Sequence, residues 1–260
     1  MKVRAVIFDL DGVISDTATI HAAAWKNTFD KVVSQAKYNK EPFSVCTDYK
    51  KYVDGKTRIE GVKCFLESRS IYLEMGSPEE ESVCSINGLA NLKNRKYRDL
   101  LLSDGVKIFE DAKDLVLQLY NNKMPLAVAS SSKNAKLILK NTGLEKFFNV
   151  IMDGKTAQEK SINSKPHPDF YTYTASLLGI DVGRCVVVED AISGVISAKK
   201  SGIGVVLGIS RDGSPGALVE SGADFVVQLL SDIPVDTILS GNFSGLNDKK
   251  YFEMEKSSEK

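Results

Sequence analysis

The chain has 260 residues, 43% of them hydrophobic, and its 34 basic side chains balance 34 acidic ones. That length predicts one large domain or two modest ones with a well-filled core, which excludes disordered and collagen-like chains. The balanced charge provides no field to collect nucleic acid or an anionic membrane, and no apolar run approaches the roughly 18–20 residues of a membrane span.

The opening MKVRAVIFDL enters a strand-like segment directly, without the basic, apolar and small-residue regions of a signal peptide. A soluble, cytoplasmic and monomeric protein is therefore expected. Cys46, Cys64, Cys84 and Cys185 lack the paired spacing of a zinc site, and His21 and His167 are the only imidazoles. They read as reduced, mostly packed thiols.

In chain order, Val3–Phe8 is the first predicted strand. From Thr17 to Ser103 strand-like runs vanish, and Ala23–Val33, Lys56–Ser68 and Glu79–Leu102 read as helices. Beyond them, Pro125–Ala129, Val150–Met152, Cys185–Val188, Gly204–Leu207 and Phe225–Val227 are short apolar runs of the kind found in parallel strands covered on both faces. Helix-spaced apolar residues fill Asn134–Asn141, Asp169–Leu178, Ala191–Ser201 and Pro215–Ser221 between them. The expected architecture is α/β: a doubly wound parallel sheet with a Rossmann-like core and an inserted helical cap domain. Residues 1–16 and 104–240 form the core, 17–103 the cap and 241–260 a polar tail. Two linkers between two domains predict a cleft and a hinge.

Four segments fall at the carboxyl edge of successive strands, where ligands of open α/β sheets bind. Asp9 and Asp11, in Phe8-Asp9-Leu10-Asp11-Gly12, place two carboxylates close together, suited to a nucleophile with a neighbouring general acid; a polar strand end with an Asp-Gly turn is the alternative. Ser130-Ser131-Ser132 offers hydroxyls and backbone N–H groups to an anion, or a simple helix cap. Lys165 precedes Pro166-His167-Pro168 and could equally be a surface lysine. Glu189-Asp190 adds carboxylate oxygens of the type Mg²⁺ prefers, although Asp190 could serve as a helix N-cap. Together they assemble a nucleophile, a phosphate cradle, a cation and metal ligands, the parts of a phosphoryl-transfer site.

These motifs, opening with FDLDGVISDT at Phe8–Thr17, resemble the haloacid dehalogenase superfamily, and within it the β-phosphoglucomutase-like branch with a helical cap. The resemblance spans roughly residues 3–230 and all four superfamily motifs in order. It implies Asp9 as the phosphorylated nucleophile, Asp11 as general acid/base, and Ser130, Ser131 and Lys165 around the phosphate. It also implies Mg²⁺ bound by Asp9, the Asp11 carbonyl, Glu189 and Asp190. In the cap it implies substrate contacts from His21, Trp25, Gly55, Arg58, Lys93 and Asn94, with Arg58 and Lys93 anchoring a second phosphate. Val32–Thr47 is longer and more polar than in compact members of the family, and the Asp153–Ser164 loop before Lys165 is also long and charged.

The expected activity is Mg²⁺-dependent phosphotransfer on a small phosphorylated sugar, converting β-glucose 1-phosphate to glucose 6-phosphate with glucose 1,6-bisphosphate as activator. A phosphatase on a similar metabolite is the alternative. A dehalogenase needs neither Asp11 nor the metal carboxylates, and a non-catalytic binder would be expected to lose Asp9 or Asp11.

Overall fold

The computed structural model describes residues 2–54 and 56–246. Six strands, β1 (Ala5–Phe8), β2 (Leu126–Ala129), β3 (Val150–Met152), β4 (Cys185–Glu189), β5 (Val205–Ile209) and β6 (Phe225–Val227), form one parallel sheet in the order β3-β2-β1-β4-β5-β6. The helices are α1 (Ala18–Val33), α2 (Arg58–Ser68), α3 (Ile86–Asp104), α4 (Glu110–Asn121), α5 (Ala135–Asn141), α6 (Gly154–Glu159), α7 (Asp169–Leu178), α8 (Ile192–Lys200), α9 (Gly216–Glu220) and α10 (Val235–Ser240). The chain divides into two compact units: residues up to Ser15 with those from Ile108 on, and the helical insertion Asp16–Lys107.

In the first unit β1, β2, β4 and β5 are buried along their whole length, which explains their continuous apolar text. Ile7, Ala127 and Val187 pack with Phe170 of α7 and Val195 of α8. The register aligns Phe8 with Val128 on one side and Val188 on the other. One residue further along, Asp9, Ala129 and Glu189 therefore come abreast at the carboxyl edge.

The insertion has its own aromatic core. Phe65 stacks on Phe29 at 4.0 Å and meets Phe43 edge-on at 5.3 Å, while Trp25 stacks on Phe29 at 4.9 Å. Phe43 draws the polar stretch after α1 into this core, and its N–H donates to Asp30 at 2.9 Å. Arg69 closes the same stretch by pairing with Asp48 at 2.6 Å.

Helix boundaries differ from the sequence reading for local reasons. α3 begins at Ile86 rather than Glu79, because Ser85 caps it by accepting from the Gly88 N–H at 3.0 Å. The preceding Glu80 accepts from the Ser85 hydroxyl at 2.7 Å instead of joining the helix. α2 begins at Arg58 behind a Thr57–Glu60 capping box. α4 was not anticipated, although Ala112, Leu115, Val116 and Leu119 give it a buried stripe at helical spacing. α6 occupies part of the expected Asp153–Ser164 loop, capped by the buried Asp153. Only Cys185 among the cysteines is buried, with Cys46 and Cys84 exposed. Phe243 is buried and stacks on Phe225 at 5.7 Å, so the expected tail is packed there. Residues 247–260 lie outside the described residues. Among those described, no helix is long and apolar enough to cross a membrane.

Phe65 lies at the centre of the aromatic core, so Phe65→Ala should cost about 3–5 kcal/mol. Urea unfolding followed by circular dichroism checks this; a loss below 1 kcal/mol would mean that the core closes over the gap.

Candidate active site

Lys165 is 2% exposed, and its Nζ donates to Asp9 Oδ1 at 2.6 Å, Glu189 Oε1 at 2.6 Å and the Ala129 carbonyl at 2.9 Å. These are the three positions that the register sets abreast. The surface-lysine alternative is therefore wrong. Burial alone would lower the Lys165 ammonium, but Asp9 and Glu189 outweigh it and hold the group well above its ordinary value.

Glu189 is fully buried. Its Oε1 also accepts from the Tyr171 hydroxyl at 2.7 Å, and its Oε2 accepts the N–H groups of Asp190 and Ala191, both at 3.0 Å. Burial, reinforced by Glu189, keeps the Tyr171 phenol well above its ordinary value and so a donor. Tyr171 was missed by the sequence reading; a tyrosine on the buried face of a predicted helix carries no further mark. A Cβ at Gly194 would overlap the Glu189 carboxylate, so the start of α8 must carry glycine there.

Strand pairing stops at Phe8, and the chain turns through Gly12, whose φ is +87°. A Cβ on Gly12 would meet the Asp190 carboxylate. The turn and the acidic pair after β4 thus press together. Asp190 is not the cap of α8, a position that Ala191 takes. Asp9, Glu189 and Asp190 each offer an oxygen within 4.8 Å of the others.

Ser130 donates to Asp11 Oδ2 at 3.4 Å and accepts the Ser132 N–H at 3.1 Å. The Asn134 N–H donates to the Ser132 hydroxyl at 3.2 Å. Two amides of the expected anion cradle are therefore already used within the loop. The Ser131 hydroxyl oxygen is shielded and has no partner among the described residues, an arrangement that an incoming anion would satisfy.

The carboxylates of Asp9, Glu189 and Asp190 lie together with Asp11 near enough to act on Asp9, and Lys165 pairs with Asp9 and Glu189. Burial raises the Asp9 carboxyl to about 8, with Lys165 opposing and Glu189 and Asp11 reinforcing the shift. This excess of negative charge fits a divalent cation, which prefers such oxygen donors. Glu189 already accepts four bonds, so direct ligation by it requires exchange of one of them.

The remaining predicted residues lie in the helical insertion. Lys93 is 1% exposed, with its Nζ 2.6 Å from His21 Nδ1 and over the rings of Trp25 at 4.8 Å and Tyr97 at 4.7 Å. Lys93 is therefore a buried side chain and not part of a solvated helix face. Trp25 belongs to the aromatic core and meets Lys93 through its ring face. Arg58 donates from Nη1 to the Ala90 carbonyl at 3.1 Å, and burial lowers its guanidinium to about 10. Asn94 is half-buried and lines a polar groove with Asn91, Arg95 and Arg98. Gly55 lies outside the described residues.

Asp9 carries a testable linkage. Its folded value of about 8 exceeds the ordinary 3.8, so between these limits the folded chain holds a proton that the unfolded chain has lost. Stability from this group is therefore full below about pH 4 and is lost as pH rises towards 8. A divalent cation binds the deprotonated form, so its stabilising effect should grow over the same interval. Melting curves from pH 5 to 8, with chelator or with Mg²⁺, should show this in the native chain and not in Asp9→Asn. A cation effect independent of pH would overturn the assignment.

Residues 3–202 match the model of the haloacid dehalogenase-like hydrolase family. The chain is 40% identical over 240 residues to a β-phosphoglucomutase of Mycobacterium bovis, covering 89% of this chain and 92% of that one. It is 27% identical to a phosphorylated carbohydrates phosphatase of Thermotoga maritima, over 86% and 94% of the two chains. Among solved structures, a β-phosphoglucomutase of Clostridium difficile superimposes with a TM-score of 0.72 at 26% identity, over 97% and 99% of the chains. With this coverage and this edge of carboxylates, lysine and serines, the chain belongs to the haloacid dehalogenase-like hydrolase family and is an enzyme of its phosphotransferase type.

Proposed function

We propose that this enzyme is a phosphomutase acting on a small phosphorylated sugar, with β-glucose 1-phosphate and glucose 6-phosphate as its pair. The reading is carried by Asp9, a buried carboxylate held by Lys165 beside Asp11 and Ser130. The 40% identity to a β-phosphoglucomutase supports the choice of sugar.

An Asp9 oxygen attacks a phosphoryl group of glucose 1,6-bisphosphate, forming the aspartyl phosphate and releasing a sugar monophosphate. Asp11 gives a proton to the departing sugar oxygen and, in the second half-reaction, takes one from the hydroxyl that accepts the phosphoryl group. Lys165, Ser130 and the orphaned Ser131 hydroxyl bind the phosphoryl oxygens. Asp9, Asp190 and the Asp11 carbonyl would hold Mg²⁺, joined by Glu189 once it exchanges one of its bonds. When bound, the ion supplies positive charge to the transferring group.

In the helical unit, Arg58 takes the non-transferring phosphate; a guanidinium at about 10 stays cationic at neutral pH and can bind two phosphate oxygens at once. Lys93, steered by His21 and Trp25, adds a second cation, and Asn94 completes the sugar contacts. If water replaces the sugar hydroxyl as acceptor, the same groups give a phosphatase, the activity named for the Thermotoga maritima relative.

Phosphorus NMR of β-glucose 1-phosphate with Mg²⁺ and catalytic glucose 1,6-bisphosphate decides between them. Glucose 6-phosphate without inorganic phosphate is the expected result, abolished in Asp9→Asn. Inorganic phosphate as the main product would favour the phosphatase, and inertness would exclude this sugar. Arg58→Ala should slow the mutase roughly 100-fold while leaving hydrolysis of a small aryl phosphate nearly unchanged, since that substrate has no second phosphate. Equal losses would remove Arg58 from this role.

A further inference from the structure

The turn that carries Asp11 is held from outside by one side chain. Arg211, just beyond β5, donates from Nε to the Gly12 carbonyl at 3.0 Å and from Nη2 to the Val13 carbonyl at 3.0 Å. Its Nη1 and Nη2 also make parallel bonds of 3.1 Å to the two oxygens of Asp111. The guanidinium lies over the Phe109 ring, 3.6 Å from its centroid. Asp111 is fixed in turn, because Oδ2 accepts the Leu230 N–H at 2.7 Å. Four of the five N–H groups of Arg211 are thereby used.

These contacts reach beyond what the turn needs for itself. It already closes through the Gly12 N–H to Ser15, and through the Ile14 and Ser15 N–H groups to the Leu10 carbonyl. Arg211 adds bonds to the two carbonyls that directly follow Asp11. On the other side Gly12 stands against the Asp190 carboxylate. The backbone after Asp11 is thus gripped between Arg211 and the acidic pair.

We propose that Arg211, oriented by Asp111 and Phe109, is a positioning residue for the proton transfer performed by Asp11. It rests on the reading of Asp11 as general acid/base. By fixing the Gly12 and Val13 carbonyls, Arg211 sets where the Asp11 carboxyl stands relative to Asp9, and misplacement by about 1 Å can cost a factor of roughly 100 in rate. A lysine cannot reproduce the planar fork that serves two carbonyls and a carboxylate together.

The test compares two aryl phosphates in the full-length, Mg²⁺-loaded enzyme. Phenyl phosphate has a poor leaving group that needs a proton, whereas 4-nitrophenyl phosphate has a good one that needs little. Asp11→Asn should lower kcat/KM for phenyl phosphate far more than for 4-nitrophenyl phosphate. Arg211→Gln and Asp111→Asn should show the same selectivity, with phenyl phosphate falling roughly 10- to 100-fold and 4-nitrophenyl phosphate less than about threefold. Arg211→Lys should recover part of the loss, and it decides the matter if Arg211→Gln does not fold. Selectivity in Asp11→Asn but equal losses, or none, in the Arg211 and Asp111 variants would overturn the proposal alone. No selectivity in Asp11→Asn would overturn the acid/base reading and the proposal with it.

Discussion

The Lys165 ammonium is the interaction on which the rest of the site depends. Its three N–H groups meet three acceptors on three adjacent strand ends, Asp9, Ala129 and Glu189. Burying an ammonium costs several kcal/mol, and burying two carboxylates near each other costs more; each makes the other tolerable only with close geometry. That geometry comes from the parallel register of β2, β1 and β4, which brings the three positions abreast. The rings of Tyr171 at 5.0 Å and Phe170 at 5.6 Å lie beside the ammonium. A slip of one residue in either strand pairing would leave a buried charge without its partner.

The two units solve the same problem differently. Each buries a lysine, Lys165 in the sheet unit and Lys93 in the helical one. Lys165 is compensated by the carboxyl groups of Asp9 and Glu189, which secure its proton and hold it in one place. Lys93 is held by an imidazole nitrogen and the faces of two aromatic rings. Cation–π contacts of this kind offset part of the cost of taking an ammonium out of water. The aromatic core around Phe29 and Phe65 gives that lysine a rigid support.

Legibility varied with the kind of signal. The strands could be read because a parallel sheet covered on both faces needs uninterrupted apolar runs, and Val150–Met152 and Phe225–Val227 were found to the residue. Helix α4 escaped because charged residues surround its apolar stripe, although the stripe has the right spacing. The sequence points to an earlier start for α3 because Glu79–Ser82 favour a helix locally, while Ser85 and Glu80 form a cap that overrides them. Tyr171 and Arg211 were passed over for another reason. Neither belongs to a motif, and each gains its place only from segments distant in sequence, Glu189 in one case and Gly12, Val13 and Asp111 in the other.

By itself, the sequence determined the α/β core with its helical insertion and the set of groups that gather at one edge of the sheet. Apolar runs and strand-end motifs are local properties, written in consecutive residues. Only the tertiary structure decided the order of the strands, the burial of Lys165 between two carboxylates and the bond from Tyr171 to Glu189. Those outcomes depend on which segments meet and at what register, and hydrogen-bond partners tens of residues apart leave no trace in the local pattern.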